Sequence, residues 1–206
     1  MVDAVVNAPS RAVRTDRVAA RRRELAAAAL ETIADRGFAN TGLRDIAAHT
    51  GLSLGILHYY FDDKDDLIGQ AVWQSKVECA HRYDAVVATS LTSAELAEGF
   101  GAELAATLVA DCAEHRLWYD LRNQALFQNG FRDTIIAIDG LLTDMVWSVV
   151  ARYAELSGST PQVRPAEAYA MFDGFFRNSL IAHLRDVPDA PENLRIGAVR
   201  MLHSTL

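Results

Sequence analysis

The chain has 206 residues, of which 50% are hydrophobic and 23% charged, with a formal net charge of −7. That composition is globular and excludes wholesale disorder, and the length suits one large or two small domains. No uninterrupted apolar run approaches the roughly 18 residues of a membrane span, and two cysteines are too few for a disulfide scaffold.

Charge is informative once split. Residues 1–61 hold eight arginines against six acids, and the other 145 residues hold 12 basic against 21 acidic side chains. Such a chain can present its basic end to a polyanion, or simply vary along its surface. The first 16 residues lack the apolar stretch of a secretion signal, and two cysteines suit a reducing compartment, so a cytoplasmic location is expected.

Residues 1–16 show no hydrophobic period and contain Pro9-Ser10, which predicts a flexible arm. From Arg17, the residues Leu25, Ala26, Ala29, Leu30, Ile33 and Ala34 fall at helical spacing, and Gly37 supplies a stop. Thr41 is placed to cap a short second helix with Leu43, Ile46 and Ala47 facing inward. Gly51-Leu52-Ser53 breaks the chain, and Ser53 can cap a third helix over Leu54 to about Tyr60. A long fourth helix starts at Asp62 or Asp63 and runs towards Val87, with Asp63, Asp65 and Asp66 complementing its dipole.

The remainder also reads as helical. Ser93 is placed to cap a helix carrying Leu96, Phe100, Leu104 and Leu108, and further helices span about 111–128 and 131–156. A break at residues 157–161 precedes a helix with Pro165 in its first turn, and Pro188 and Pro191 precede the last. No strand-like alternation and no internal repeat is found, so the class is all-α.

The segment Thr41 to Ile68, TGLRDIAAHTGLSLGILHYYFDDKDDLI, resembles the DNA-binding region of the TetR family of transcriptional regulators. Leu43, Asp45, Ile46, Ala47, Gly51, Leu52, Ser53, Gly55, Leu57, Tyr59, Tyr60, Phe61, Lys64 and Leu67 carry the resemblance by type and spacing. The run from Gly55 to Phe61 is closer to the subgroup that includes choline-responsive repressors. The resemblance covers about residues 17–72. It implies an N-terminal three-helix helix-turn-helix domain over 17–62 and a C-terminal helical ligand-binding and dimerisation domain over 63–206. It implies too that the chain is a homodimeric regulator of operator DNA, released by a small-molecule effector, and not an enzyme. No cofactor and no membrane enters that reading.

A short helix fits the major groove, whose floor displays base-specific donors and acceptors. Ile46, Ala47, Leu52, Leu57 and Phe61 can form the small core that holds the helix out. By analogy with the family, Ser53, Leu54, Ile56, His58 and Tyr59 lie towards the bases. Thr41, Arg44, Tyr59, Tyr60 and Lys64 are candidates for phosphate contacts, which fix register. The sequence departs from the family's pattern at Leu54, where a basic or small polar residue is common, at Ile56, where Thr or Ser is, and at His58, where Tyr is. Two apolar residues there imply contacts to thymine methyls or a shallower seat. Asp62, Asp63, Asp65 and Asp66 lie beside the phosphates Lys64 should meet, which implies weak, salt-sensitive binding of one half-site. Arg11, Arg14, Arg17, Arg21, Arg22 and Arg23 could offset this by reaching DNA, or could be a solvated start to the first helix.

Residues 111–185 concentrate aromatic side chains with interleaved polar groups, the composition of a small-molecule site. Trp118, Asn123, Phe127, Trp147, Asp173, Phe176 and Arg177 are the candidate ligand contacts. The family resemblance makes helices 132–156 and 165–184 the dimer interface, supported by Ala166, Ala170, Phe172, Phe176, Leu180 and Leu184 at helical spacing. Other classes are weaker. No nucleophile elbow, phosphate loop or His-Glu-x-x-His helix marks an enzyme. Cys79, His81, Cys112 and His115 could sense a metal, but Cys79 and His81 point to different faces of one helix. A helical interaction protein that retains the fold without operator specificity is the remaining alternative.

Overall fold

Helix accounts for every regular element among the described residues, and no strand forms there. The structure is a computed structural model describing residues 11–130 and 132–206. α1 (Arg11–Arg36), α2 (Leu43–Thr50) and α3 (Leu54–Tyr60) form an N-terminal unit, from which α4 (Lys64–Thr89) leads away. The body is built from α5 (Ser93–Ala110), α6 (Cys112–Ala125), α7 (Arg132–Leu156), α8 (Pro165–His183) and α9 (Ala190–His203).

Local chemistry sets the boundaries. Gly37 and Gly51 take φ of 77° and 69°, the left-handed conformation that ends α1 and α2. Ser53 Oγ accepts the Ile56 N–H at 3.1 Å, and Asp63 Oδ1 accepts the Asp66 N–H at 2.8 Å, capping α3 and α4. Pro165 occupies the first turn of α8.

Four expectations are corrected. α1 begins at Arg11 and not Arg17, because residues 11–36 contain neither Gly nor Pro and are rich in Ala and Arg. The expected arm therefore fails over 11–16; its remainder, 1–10, and Phe131 lie outside the described residues. Gly42 and not Thr41 precedes α2: its N–H is bound by Asp45 Oδ2 at 2.8 Å, while the buried Thr41 hydroxyl donates to Gly37 O at 2.8 Å. Thr92 and not Ser93 caps α5, in a reciprocal pair with Glu95. α6 ends at Ala125, short of the expected Gln128.

The two parts share apolar packing. Ile46, Ala47, Leu57 and Phe61 are buried, with Leu52 partly so, as the sequence pattern requires. This cluster continues through Leu67, Ile68 and Val72 of α4 into Leu117, Trp118 and Leu121 of α6 and Ile138 of α7. A second cluster joins α4, α5, α7, α8 and α9 through Tyr83, Phe100, Val149, Phe172 and Leu194. α5 and α9 approach so closely that a Cβ on Gly101 would lie 2.8 Å from Arg195 O.

α7 is long and apolar enough to cross a membrane by length and composition. Its interruptions explain it otherwise. Asp139 accepts the Tyr169 hydroxyl at 2.7 Å and lies 3.4 Å from Arg122, and α7 packs against α4 and α8.

Candidate nucleic-acid interface and internal cavity

α3 divides cleanly into two faces. Leu57 is fully buried, and Leu54 and Tyr60 are half-buried against the same core. Gly55, Ile56, His58 and Tyr59 face outward, with Ile56 37% and Tyr59 76% exposed. An exposed aromatic ring beside a partly exposed aliphatic side chain on a short projecting helix suits a contact surface. Beside them on α2, Arg44 is exposed and makes no ion pair among the described residues. Ser53 is exposed too, although its hydroxyl oxygen already caps α3.

Three of the expected contacts are placed differently. Thr41 is buried and its hydroxyl is used within the α1–α2 turn, so its side chain is withdrawn from any phosphate. Leu54 packs into the unit's core because it occupies the first turn of α3, where the inward stripe begins. Lys64 turns inward: Nζ donates to Phe38 O at 2.5 Å and sits 3.9 Å from the Phe38 ring centroid. Burial holds its ammonium below the ordinary lysine pKa.

The acids beside Lys64 are also occupied. Asp63 caps α4, and Asp66 pairs with Arg22 at 2.6 Å while accepting the Asp62 N–H at 3.1 Å. Arg22 also donates to Tyr60 O at 2.6 Å and lies over the Phe61 ring. This arginine is a brace between α1, α3 and α4, not a DNA-reaching arm. Arg17 and Arg23 remain exposed, and Arg21 pairs with Glu24. Of the four acids, Asp62 stays exposed without a cation, and burial followed by the Asp63 charge raises the Asp65 pKa.

The body encloses a cavity of about 70 Å³ between α4, α5, α6, α7 and α8. Its wall is largely apolar and aromatic and includes Trp118, Asp173 and Phe176. The other four candidates do not line it: Asn123 and Phe127 are exposed at the end of α6, and Trp147 is half-buried against the second cluster, beside the lining residue Val146. Arg177 points outward over the Tyr119 ring. Trp147 and Arg177 each stand one position from a lining residue, Val146 and Phe176, whereas Asn123 lies a turn beyond Tyr119, the last lining residue of α6, and Phe127 beyond the helix altogether.

Two polar groupings meet this wall. At one, Tyr119 donates to Asp173 Oδ1 at 3.0 Å, and Arg122 pairs with Asp173 at 2.7 Å. At the other, buried Lys76 Nζ lies 3.3 Å from His115 Nδ1, and His115 Nε2 lies 3.1 Å from Thr107 Oγ1. Thr107 donates onward to Asp111 at 2.8 Å, and Asp111 pairs with Arg82. That order fixes the proton pattern. Thr107 gives its proton to Asp111, so it accepts from His115 Nε2–H, and Nδ1 is left to accept from Lys76. Burial, then the Lys76 charge, lowers the His115 pKa from 6.5 to about 3, so the ring is neutral. Burial also lowers the Lys76 pKa and, opposed by Lys76, raises that of Cys79.

The sequence reading passed over Lys76 altogether. Its signal was available: Val72, Lys76, Cys79 and Tyr83 form one helical stripe, and a lysine on an otherwise inward stripe is anomalous. Cys79 and His115 line the cavity, whereas His81 is exposed against Asp84. Among the described residues no group of three or more His, Cys, Asp or Glu side chains gathers as a metal site.

Two contacts join the cavity to the N-terminal unit. α4 carries both Lys64 and Lys76, 12 residues and about 18 Å apart along the helix. α6 carries His115, Trp118 and Tyr119 on the cavity and Asp120 on the Phe38 N–H, at 3.0 Å.

Comparison with known proteins agrees with this geometry. Residues 25–71 match the family model of bacterial regulatory proteins, tetR family. The chain is 25% identical over 187 residues to the HTH-type transcriptional regulator PksA of Bacillus subtilis, covering 89% of this chain and 87% of that protein. It is 46% identical over 54 residues to the HTH-type transcriptional regulator BetI 1 of Chromohalobacter salexigens, covering 26% and 27% of the two. The fold is similar to a transcriptional regulator of Saccharomonospora viridis solved with choline, with a TM-score of 0.72, 18% identity, and coverage of 90% and 96%.

Proposed function

We propose that this chain, a TetR-family transcriptional regulator, binds a palindromic operator as a homodimer, represses from it, and is released by a small molecule held in the body cavity. The division at residues 62 and 63 then separates a reading unit from an effector and dimerisation unit, and acting on DNA places the protein in the cytoplasm. The observation that carries the reading is the outward face of α3, where Ile56, His58 and Tyr59 stand exposed on a helix whose other face is fixed by Leu57.

In this account Ile56, His58 and Tyr59 meet base edges. Arg44, Ser53 and the hydroxyl of Tyr60 meet phosphates. Ile56 suits a thymine methyl. Lys64 acts indirectly, by clasping the α1–α2 turn to α4.

The dimer forms through the outward faces of α7 and α8. Phe172, Phe176 and Leu180 cannot serve there, because they are buried within their own chain. Ala166, Ala170, Gly174, Ile181 and Leu184 are exposed along α8, and Ile136, Ala137 and Gly140 along α7. Small residues let the helices of two copies approach closely, and a two-fold axis sets the reading helices about 34–36 Å apart.

A ligand that enlarges the cavity displaces α4 and α6, the two helices that hold Phe38 and with it the reading unit. A coupling of about 1–3 kcal/mol changes operator affinity about 5–150-fold. The choline in the Saccharomonospora viridis protein supports a ligand-holding body for this fold. The test is operator affinity by fluorescence anisotropy, with and without compounds that raise the thermal stability of the protein. Release at saturation is expected; unchanged affinity with every stabilising compound would sink the coupling.

A further inference from the structure

Taking the cavity as the effector site, we infer that its ligand is a small apolar acid whose carboxylate pairs with Lys76. The cavity wall joins two observations. Its surface is overwhelmingly apolar, with Phe100, Leu104, Trp118, Leu142 and Phe172 among the lining residues. Within it sits one lysine, 2% exposed, whose one hydrogen-bond partner among the described residues is a neutral histidine.

The charge count decides the sign of the ligand. Asp173, the carboxylate on the wall, is already held by Arg122 at 2.7 Å and by Tyr119 at 3.0 Å. Asp111 is held by Arg82 and Thr107, and Glu114 accepts from Ser75. Among the described residues Lys76 makes no ion pair and has one hydrogen-bond partner, His115; its ammonium also lies 5.9 Å from the Trp118 ring centroid and feels Glu114 and Asp111 only at a distance. A buried ammonium of this kind is costly unless paired, so the fold has already met the dehydration cost of one half of an ion pair. An incoming carboxylate gives up its own water and receives a charge-assisted hydrogen bond in a site of low dielectric. An amine meets a like charge, and an alcohol accepts a hydrogen bond from the ammonium without the charge–charge attraction that a carboxylate adds.

Geometry limits the size. A cavity of about 70 Å³ is under half the volume that accommodates a benzene ring, so it favours a narrow, unbranched chain, and unbranched Met145 in the wall must yield to admit one of six carbons. The His115–Thr107–Asp111–Arg82 series keeps His115 in the tautomer that accepts from Lys76. The ammonium is thereby anchored, with its other donors left for the ligand.

The experiment is calorimetric titration of the full-length protein with hexanoate, hexan-1-ol and hexylamine, three probes of equal chain length. Hexanoate is expected to bind at least tenfold more tightly than hexan-1-ol, with hexylamine weakest. The variant K76M, an uncharged side chain of similar length, is expected to erase the preference while keeping hexan-1-ol binding. Equal affinity for acid and alcohol, preference for the amine, or binding of none of the three overturns the inference, and the wild-type series gives that answer even if K76M does not fold. Operator affinity is measured in parallel. Hexanoate that binds without releasing DNA leaves the acid preference standing and fails the effector reading; acid and alcohol that release DNA equally do the reverse.

Discussion

Asp120 accepts the backbone N–H of Phe38 at 3.0 Å, a contact across 82 residues of sequence that ties α6 to the turn between α1 and α2. Lys64 grips the carbonyl of the same residue from α4 at 2.5 Å. Phe38 is therefore held on both sides by the two helices that also wall the cavity. In the proposed mechanism, movement of either helix is passed to the outward face of α3 through this turn.

Replacing Asp120 with Ala removes the carboxylate that accepts the Phe38 N–H. A hydrogen bond to a charged group contributes about 1.5–3 kcal/mol. Thermal unfolding should fall by several degrees, at about 2–4 °C per kcal/mol for a chain of this size. Effector-driven release of DNA should weaken along with it. Unchanged melting would show that water replaces the contact.

Salt dependence separates the two roles given to basic residues. A phosphate contact contributes about 0.9 to the slope of log affinity against log salt. Arg44→Ala should lower the slope by about one per half-site. Lys64→Met should leave it unchanged while destabilising the N-terminal unit. A slope that falls equally in both variants would return Lys64 to the DNA surface.

The reading face makes a prediction about specificity. His58→Ala and Tyr59→Ala should each cost about 1–3 kcal/mol on operator DNA and little on random duplex. Equal losses on both would mean that these side chains position the helix and do not read bases.

Much of this arrangement was legible in the sequence, and the failures have physical causes. Gly37, Gly51 and Ser53 marked the turns because backbone conformation and capping depend on the residue itself. Thr41 failed because a hydroxyl that could cap a helix bonded one turn back instead. Lys64 and Arg22 looked like phosphate ligands by charge, yet each finds an acceptor distant in sequence, on Phe38 and on Asp66 and Tyr60. In the body, Asn123 and Trp147 were misplaced because the lining depends on how five helices rotate against one another, which no single helix encodes.

His115 predicts the acid side of the stability profile. Its folded pKa of about 3 lies below the ordinary 6.5, so between those values the unfolded chain binds a proton that the folded chain refuses. Stability should fall as pH is lowered through that window, whereas the contribution of Lys76, whose pKa burial lowers from 10.5, belongs to the alkaline side. Denaturant unfolding from pH 7 to pH 4.5 should show a shallower decline for His115→Gln than for the wild type. Parallel declines would place the acid sensitivity elsewhere.

In the proposed dimer the outward face of α8 carries the contact between copies. Ala170→Glu, and separately Ile181→Glu, should yield monomers by sedimentation velocity with helix content retained, and operator affinity should drop with the loss of the second half-site. A dimer that survives both substitutions would move the interface off this helix.

The central claim is sequence-specific operator binding, and it is tested most directly by fluorescence anisotropy on duplexes selected from a random pool, with a scrambled duplex as control. The account predicts enrichment of a two-fold symmetric site and a specificity ratio above about 10³. Equal binding to selected and scrambled duplexes, with no symmetric site enriched, would contradict it and leave a helical protein that keeps the fold without reading DNA.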